Sequence, residues 1–222
     1  MLVILVINQE RKLVGIITVD DVIDVVAEEA TEDLMKLVGT SEEEITSSSA
    51  FRSAQIRLPW LFASWIGGLI ASRIIEHFNT AIASMAALAA FIPVIVGMGG
   101  NIGIQSTTIT VRGLATHRIE QRRLWGYLLK EVSVALMLGL VYGVLLGVAS
   151  ALMYHGNIDL GLATGLGILT SMVLASVLGA TLPLLFHRMG IDPAVASGPF
   201  VTTIIDIVGV GAYFLIATAI IL

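Results

Sequence analysis

A lone acid, Asp206, stands in the otherwise apolar stretch from Pro199 to Leu222. An ionised carboxylate near the middle of a membrane helix costs about 2.5–3.5 kcal/mol on insertion scales. Such a residue survives where it faces water, a bundle interior or a cation. Thr202 lies one turn before it and Gly209 three residues after it. At helical spacing these place a hydroxyl, an acid and a gap on neighbouring parts of one face. Two readings compete, an acid paired within a bundle and a cation site on a path through the membrane. The second is the stronger.

Another constellation lies in PVIVGMGGNIGIQSTTITVRG. Gly97, Gly99 and Gly100, soon after Pro93, are expected to loosen or break the helix at depth. A broken helix is tolerated there only where it is buried in protein or lines a wet cavity. Beyond it, Asn101, Gln105, Thr108 and Arg112 fall on one helical face. Amide and hydroxyl oxygens suit hard cations or their hydration waters. Interhelical hydrogen bonding is the competing reading for any one of them. Breaker and polar stripe together favour a pore lining, with Gly97, Gly99, Gly100, Asn101 and Gln105 as its candidates.

A third group of acids lies near the start. Glu28 and Glu32, and likewise Glu29 and Asp33, are like-charge pairs at i,i+4, each costing about 0.2–0.5 kcal/mol in an isolated helix. Asp21 and Asp24 add to the same field. On composition alone this is a solvated acidic face. Asp192 precedes Pro193, the pattern of an N-cap followed by proline at the first helical position.

The elements that must position these residues are those of an integral membrane protein. Of 222 residues, 56% are apolar and 13% charged, where soluble domains carry about 25% charged residues. Cysteine is absent, so there is neither a disulfide framework nor a thiolate metal site. The start has no basic n-region and is not a signal peptide. The net charge of −5 is unevenly spread: residues 1–57 hold eleven acids and five bases, the remainder six acids and seven bases. That acidic head attracts cations, not nucleic acid or anionic lipid.

Residues 2–7 and 13–17 read as two strands around the turn NQERK. A helix opens at Thr18, with Asp21 three residues on as an acidic capping box. Val22, Val26, Ala30, Leu34 and Val38 recur every four residues, an amphipathic pattern. Gly39 is its expected stop. Two strands alone cannot bury a core, so the head reads as the tail end of a larger domain. SEEEITSSSAFRSAQIR is a polar linker entering a membrane-surface helix. Five spans follow on the ~20-residue criterion, at 58–75, 80–104, 131–154, 160–186 and 194–222. Arg112, Arg118, Arg122, Arg123 and Lys130 cluster in one loop and Arg188 marks another. The positive-inside rule makes these loops and the N-terminal head cytoplasmic, and the C-terminus external. Spans three and four carry small-xxx-small stripes (Gly139, Gly143, Gly147, Ala151; Ala163, Gly167, Ser171, Ala175, Gly179), which signal close helix packing.

PVIVGMGGNIGIQS, together with GPFVTTIIDIVGVGAYF, resembles the MgtE family of magnesium channels, and the likeness covers nearly the whole chain. It implies a homodimer with five spans per subunit and a Mg²⁺ pore between subunits in a bacterial inner membrane. LVGIITVDDVIDVV looks like the end of a second cystathionine-β-synthase (CBS) domain running into a plug helix. The implied domains are a CBS remnant at 1–19, the plug helix at 20–39, a linker and surface segment at 40–57, and a pore domain at 58–222. The family's acidic domain and CBS pair are expected upstream of position 1, which makes this a shortened form or a naturally short relative. ATP would bind only through those CBS domains.

On the same resemblance, Asp206 is the pore aspartate holding hydrated Mg²⁺ at the two-fold axis, with the main chain near Thr202 contributing. Asp192 becomes an acid at the cytoplasmic mouth. The helix acids Asp21, Asp24, Glu28, Glu29, Glu32 and Asp33 become Mg²⁺-sensing sites that draw the plug closed. Magnesium suits the residues: it keeps several waters, and carboxylates, hydroxyls and glycine-made space hold an ion through water. Nothing spells a ring of carbonyls replacing a K⁺ hydration shell, and His77, His117, His155 and His187 lie at loop ends. A proton- or Na⁺-coupled carrier working through Asp206 is the alternative. An intramembrane protease fits poorly, because Asp206 is the one acid expected deep within a span (a dimer would supply its copy) and no span histidine is expected. No enzyme activity is expected. A plain scaffold leaves the glycines and the acid unexplained.

Overall fold

The computed structural model describes residues 3–119, 124–194 and 198–222. The chain begins with a hairpin of β1 (Val3–Ile7) and β2 (Leu13–Thr18), antiparallel and in register from Val3↔Thr18 to Val6↔Gly15, with an irregularity before Ile7. The turn closes on Asn8, whose side chain accepts from the Lys12 N–H at 2.9 Å, and Arg11 takes φ +60°. Leu5 and Leu13 are more than half exposed, as expected of two strands with nothing to cover them.

Helix α1 (Val19–Leu37) opens with the expected capping box: Thr18 and Asp21 satisfy each other's main-chain N–H groups. It stops at Gly39, which takes φ +77°. Its apolar stripe is exposed at Val22, Val26, Leu34 and Val38 and half-buried only at Ala30. Short α2 (Glu43–Thr46) leads into α3 (Ala50–His77), where Arg52 pairs with Glu43 and Arg57 with Glu44. Then come α4 (Asn79–Ser84), α5 (Ala87–Ala115), α6 (Leu124–Met153), α7 (Ile158–Arg188) and α8 (Pro199–Ile221).

Five of these helices, α3 and α5–α8, are long and apolar enough to cross a membrane. The protein is a helical, polytopic membrane protein with a small strand pair at its head. Helix α7 is central, packed against α5, α6 and α8, while α3 leans on α8. The core comprises Leu88, Ile95, Ile102, Ile168, Met172, Ile205, Tyr213 and Phe214. Tyr213 donates to the Leu88 carbonyl at 2.9 Å, leaving no orphan hydroxyl there. The α6 stripe is a contact surface toward α7, where a Cβ on Gly165 would lie 2.7 Å from the Gly143 carbonyl oxygen and one on Gly161 2.8 Å from that of Gly147. The α7 stripe faces other helices, Gly167 against Tyr213 of α8 and Gly179 against Gly103 of α5.

Three expectations need correction. Helix α5 runs unbroken through Gly97, Gly99 and Gly100. Glycine keeps its N–H and costs only about 1 kcal/mol relative to alanine in a helix, whereas each main-chain group left unpaired in hydrocarbon costs several. The second span is also displaced, because residues 79–84 form separate α4 and α5 continues to Ala115. Arg112 and Lys130 therefore sit on helices, while Arg122 and Arg123 lie outside the described residues. Finally, Asp192 does not cap α8, whose N-cap is Gly198. Its Oδ1 instead accepts from the Ala194 N–H at 2.9 Å.

Candidate cation path

Helix α8 carries Asp206 to mid-span. Pro199 occupies its first turn, and Thr202 and Thr203 return their hydroxyls to the Pro199 carbonyl at 3.0 and 2.6 Å. The Thr202 side chain is thereby engaged within its own helix. Asp206 is half-buried, and among the described residues no hydrogen bond or ion pair engages its carboxylate. Opposite it stands Gly100 of α5, where an added Cβ would come within 3.9 Å of Asp206 Oδ1. Glycine and acid, far apart in sequence, thus meet in the middle of the bundle.

The other glycines of the run serve different neighbours. A Cβ on Gly99 would approach Ser171 Oγ to 2.8 Å, and one on Gly209 would approach the same atom to 2.7 Å. Ser171 is buried, and among the described residues its hydroxyl has no hydrogen-bond partner. Gly97 faces open space. Asn101, Gln105 and Arg112 form an exposed strip along α5, with Thr108 half-buried among them. Hence Gly100, Asn101, Gln105 and Asp206 bound one uncovered face of the chain.

A second group forms where α1 meets the end of the bundle. Lys36 Nζ lies 2.6 Å from Asp192 Oδ2 and 2.8 Å from Glu32 Oε1. Burial opposes the charge on Asp192, yet hydrogen bonds from Lys36 and the Ala194 N–H outweigh it and hold the carboxyl below its ordinary range. Lys36 is shifted the other way, upward: burial lowers it, and hydrogen bonds to Asp192 and Glu32 more than compensate. Asp33, on the same surface, is pushed up by partial burial and then by the charge of Asp192. The end of α1 also touches the start of α8. A Cβ on Gly198 would lie 2.9 Å from the Lys36 carbonyl oxygen, and one on Gly39 would lie 2.7 Å from Pro199 Cγ.

The remaining sequence candidates are not gathered. Asp24, Glu28 and Glu29 are exposed along α1, and Asp21 is committed to its cap. Among the described residues no three acid or histidine side chains converge to hold a bare metal ion. Two participants escaped the reading of the sequence, Lys36 and Ser171. A basic residue one turn beyond Glu32 and a serine within a small-residue stripe were the available signals.

Residues 92–216 match the MgtE family, described as divalent cation transporters. The magnesium transporter MgtE of Bacillus subtilis is 36% identical over 218 residues, covering 98% of this chain and 48% of that protein. The MgtE of Thermus thermophilus is 37% identical over 214 residues, 96% of this chain and 47% of its own length. That of Enterococcus faecalis is 36% identical over 211 residues, 95% and 46% respectively. The chain spans about half the length of these relatives. With an intramembrane acid set against a glycine of a neighbouring span, and a match extending from end to end of the bundle, the chain belongs to the MgtE family of divalent cation transporters.

Proposed function

We propose that this chain forms the membrane pathway of a Mg²⁺ channel that admits the ion to the cytoplasm. The observation that carries the proposal is the Asp206 carboxylate, held mid-span beside Gly100 without a protein partner among the described residues. Two copies placed about a two-fold axis would oppose their α5 and α8 faces, enclosing both Asp206 side chains with Asn101 and Gln105. An isologous contact of this kind is the commonest way for identical subunits to close. Hydrated Mg²⁺ fits such a site because it keeps several waters and is held through one or two carboxylates. The relatives bearing the name magnesium transporter support the choice of ion.

In this reading β1 and β2 are the end of a CBS domain, and α1 is a plug lying at the cytoplasmic mouth. Glu32, Asp33 and Asp192 meet there, with Asp21, Asp24, Glu28 and Glu29 further along α1. Cytoplasmic Mg²⁺ bridging such acids would relieve their repulsion and hold the plug against the mouth. ATP would act only through a complete CBS pair. The bilayer is a bacterial inner membrane, with the N-terminus cytoplasmic and the C-terminus external.

Reconstitution into liposomes holding a Mg²⁺-sensitive dye tests the function, and planar-bilayer recording distinguishes its mode. A channel gives discrete unitary currents down the Mg²⁺ gradient. A carrier coupled to protons or Na⁺ gives flux that follows the second gradient and shows no unitary events. Native mass spectrometry from detergent should find two chains, and a transport-active monomer would overturn the two-fold pore.

A further inference from the structure

A carboxylate and a set of hydroxyls tie α5 to α6 and α7. Ser106 Oγ donates to Glu131 Oε2 at 2.8 Å and shares a hydrogen bond with Ser176 Oγ at 2.9 Å. Thr107 donates to the Gly179 carbonyl at 3.0 Å. Thr110 donates to the Ser106 carbonyl at 2.7 Å, which leaves its oxygen to accept from the Tyr127 hydroxyl, also at 2.7 Å. Glu131 is 5% exposed, and among the described residues it has no salt-bridge partner. An intramembrane acid without a counter-charge is costly and calls for a reason.

The reason lies in how α5 is turned. At 3.6 residues per turn, Ser106, Thr107 and Thr110 centre on the side of α5 opposite Asn101 and Gln105. Burial follows that division: the three hydroxyl residues are buried, while Asn101 and Gln105 are exposed. Lipid tails are as apolar as leucine, so burying apolar surface does not choose how a membrane helix is rotated; close packing and interhelical hydrogen bonds do. Close packing acts here too, since a Cβ on Gly179 would lie 2.9 Å from Thr107 Oγ1.

We propose that Glu131 is a positioning residue of the cation path: through Ser106 it fixes the rotation of α5 and so aims Asn101 and Gln105 at the path. The path itself rests on the function proposed above, whereas the clamp rests on hydrogen bonds within one chain. Glu131 touches no transported ion. What it supplies is an oxygen that accepts from Ser106, so glutamine should replace it and leucine should not.

The absence of cysteine makes single introduced thiols clean reporters in the whole protein, in native membrane vesicles. Gln105→Cys and Ile102→Cys are labelled separately with a charged, water-soluble thiol reagent. Ile102 is 4% exposed, so it should be protected while position 105 reacts. Glu131→Leu, and independently Ser106→Ala, should lower the ratio of the two rates by about tenfold, equivalent to about 1.4 kcal/mol. Glu131→Gln should preserve it. Ser106→Ala opens little space and covers the case in which the leucine variant does not fold. An unchanged ratio in folded Glu131→Leu and Ser106→Ala, or equal loss in Glu131→Gln, overturns the assignment. Protection of Gln105→Cys in the otherwise unaltered protein refutes the path instead. The clamp is then judged on Ile102→Cys alone, which must become reactive in Glu131→Leu.

Discussion

Asp206→Asn removes the charge on which the proposed cation path depends while leaving the side-chain shape nearly intact. Two unit charges 4 Å apart interact by about 1 kcal/mol in water and about 4 kcal/mol at an effective dielectric of 20, and a divalent ion doubles each figure. Asp206 is half-buried, and Gly100 opposite it leaves space for water rather than an apolar wall. The wet end of the range therefore applies, about 2 kcal/mol for each carboxylate facing the ion. One carboxylate corresponds to about a thirtyfold loss of occupancy and two at an axis to about a thousandfold. The same change removes an insertion cost of about 2.5–3.5 kcal/mol, so the amount in the membrane should hold or rise. Initial Mg²⁺ uptake into dye-loaded liposomes, at limiting external Mg²⁺ and equal protein, should fall by a factor in that range. Loss smaller than about threefold, under 1 kcal/mol, would refute the pore assignment.

Further predictions concern the contacts around this path. Gly209→Ala drives a methyl against Ser171 Oγ, 2.7 Å from the ideal Cβ position, and should cost about 1–3 kcal/mol. Because that hydroxyl has no partner among the described residues, Ser171→Ala should restore thermal stability in the double variant, and additive losses would show that the two sites do not meet. Lys36→Gln breaks the 2.6 Å pair with Asp192. This partly exposed contact is worth about 0.2–1 kcal/mol, so hydrogen exchange at the end of α1 should quicken by up to about fivefold, and Lys36→Asp with Asp192→Lys should reverse it. Since Asp192 is held below its ordinary range, its contribution to docking α1 is present above that range and lost as pH falls through the lowered value. Docking that weakens instead as pH rises through neutrality would contradict the pairing. Gly39→Ala combines a φ of +77° with a Cβ 2.7 Å from Pro199 Cγ, and should expose α1 to limited proteolysis. Unchanged resistance would mean that α1 is not held there.

Much of this protein was legible along the chain because membrane helices declare themselves locally. Apolar length alone marks a span, so the five spanning helices, the capping box at Thr18 and the stop at Gly39 were all expected and are all present. Asp206 stood out for the same reason, since a charge in hydrocarbon is costly whatever surrounds it. The four-residue glycine stripe of α6 announced close approach and does lie against α7, at Gly161 and Gly165, whereas the stripe expected on α7 turns to α5 and α8 instead.

What a one-dimensional reading could not decide was which face met which neighbour. The glycines after Pro93 looked like a helix breaker; tertiary contact made them fitting surfaces, one toward Asp206 and another toward Ser171. Asp192 looked like a cap and instead receives Lys36 across 156 positions of sequence. Glu131 passed unnoticed at the start of an apolar run, because Ser106, which donates to it, and Ser176, which bonds Ser106, lie on two other helices. Sequence by itself determined the hydrophobic lengths, the local caps and the one conspicuous mid-span acid, all of which follow from the solvent and from neighbours within a turn. Only the tertiary structure decided helix rotation and pairing. In a bilayer no hydrophobic gradient between helices sets these, so they depend on small-residue contacts and on hydrogen bonds between distant segments.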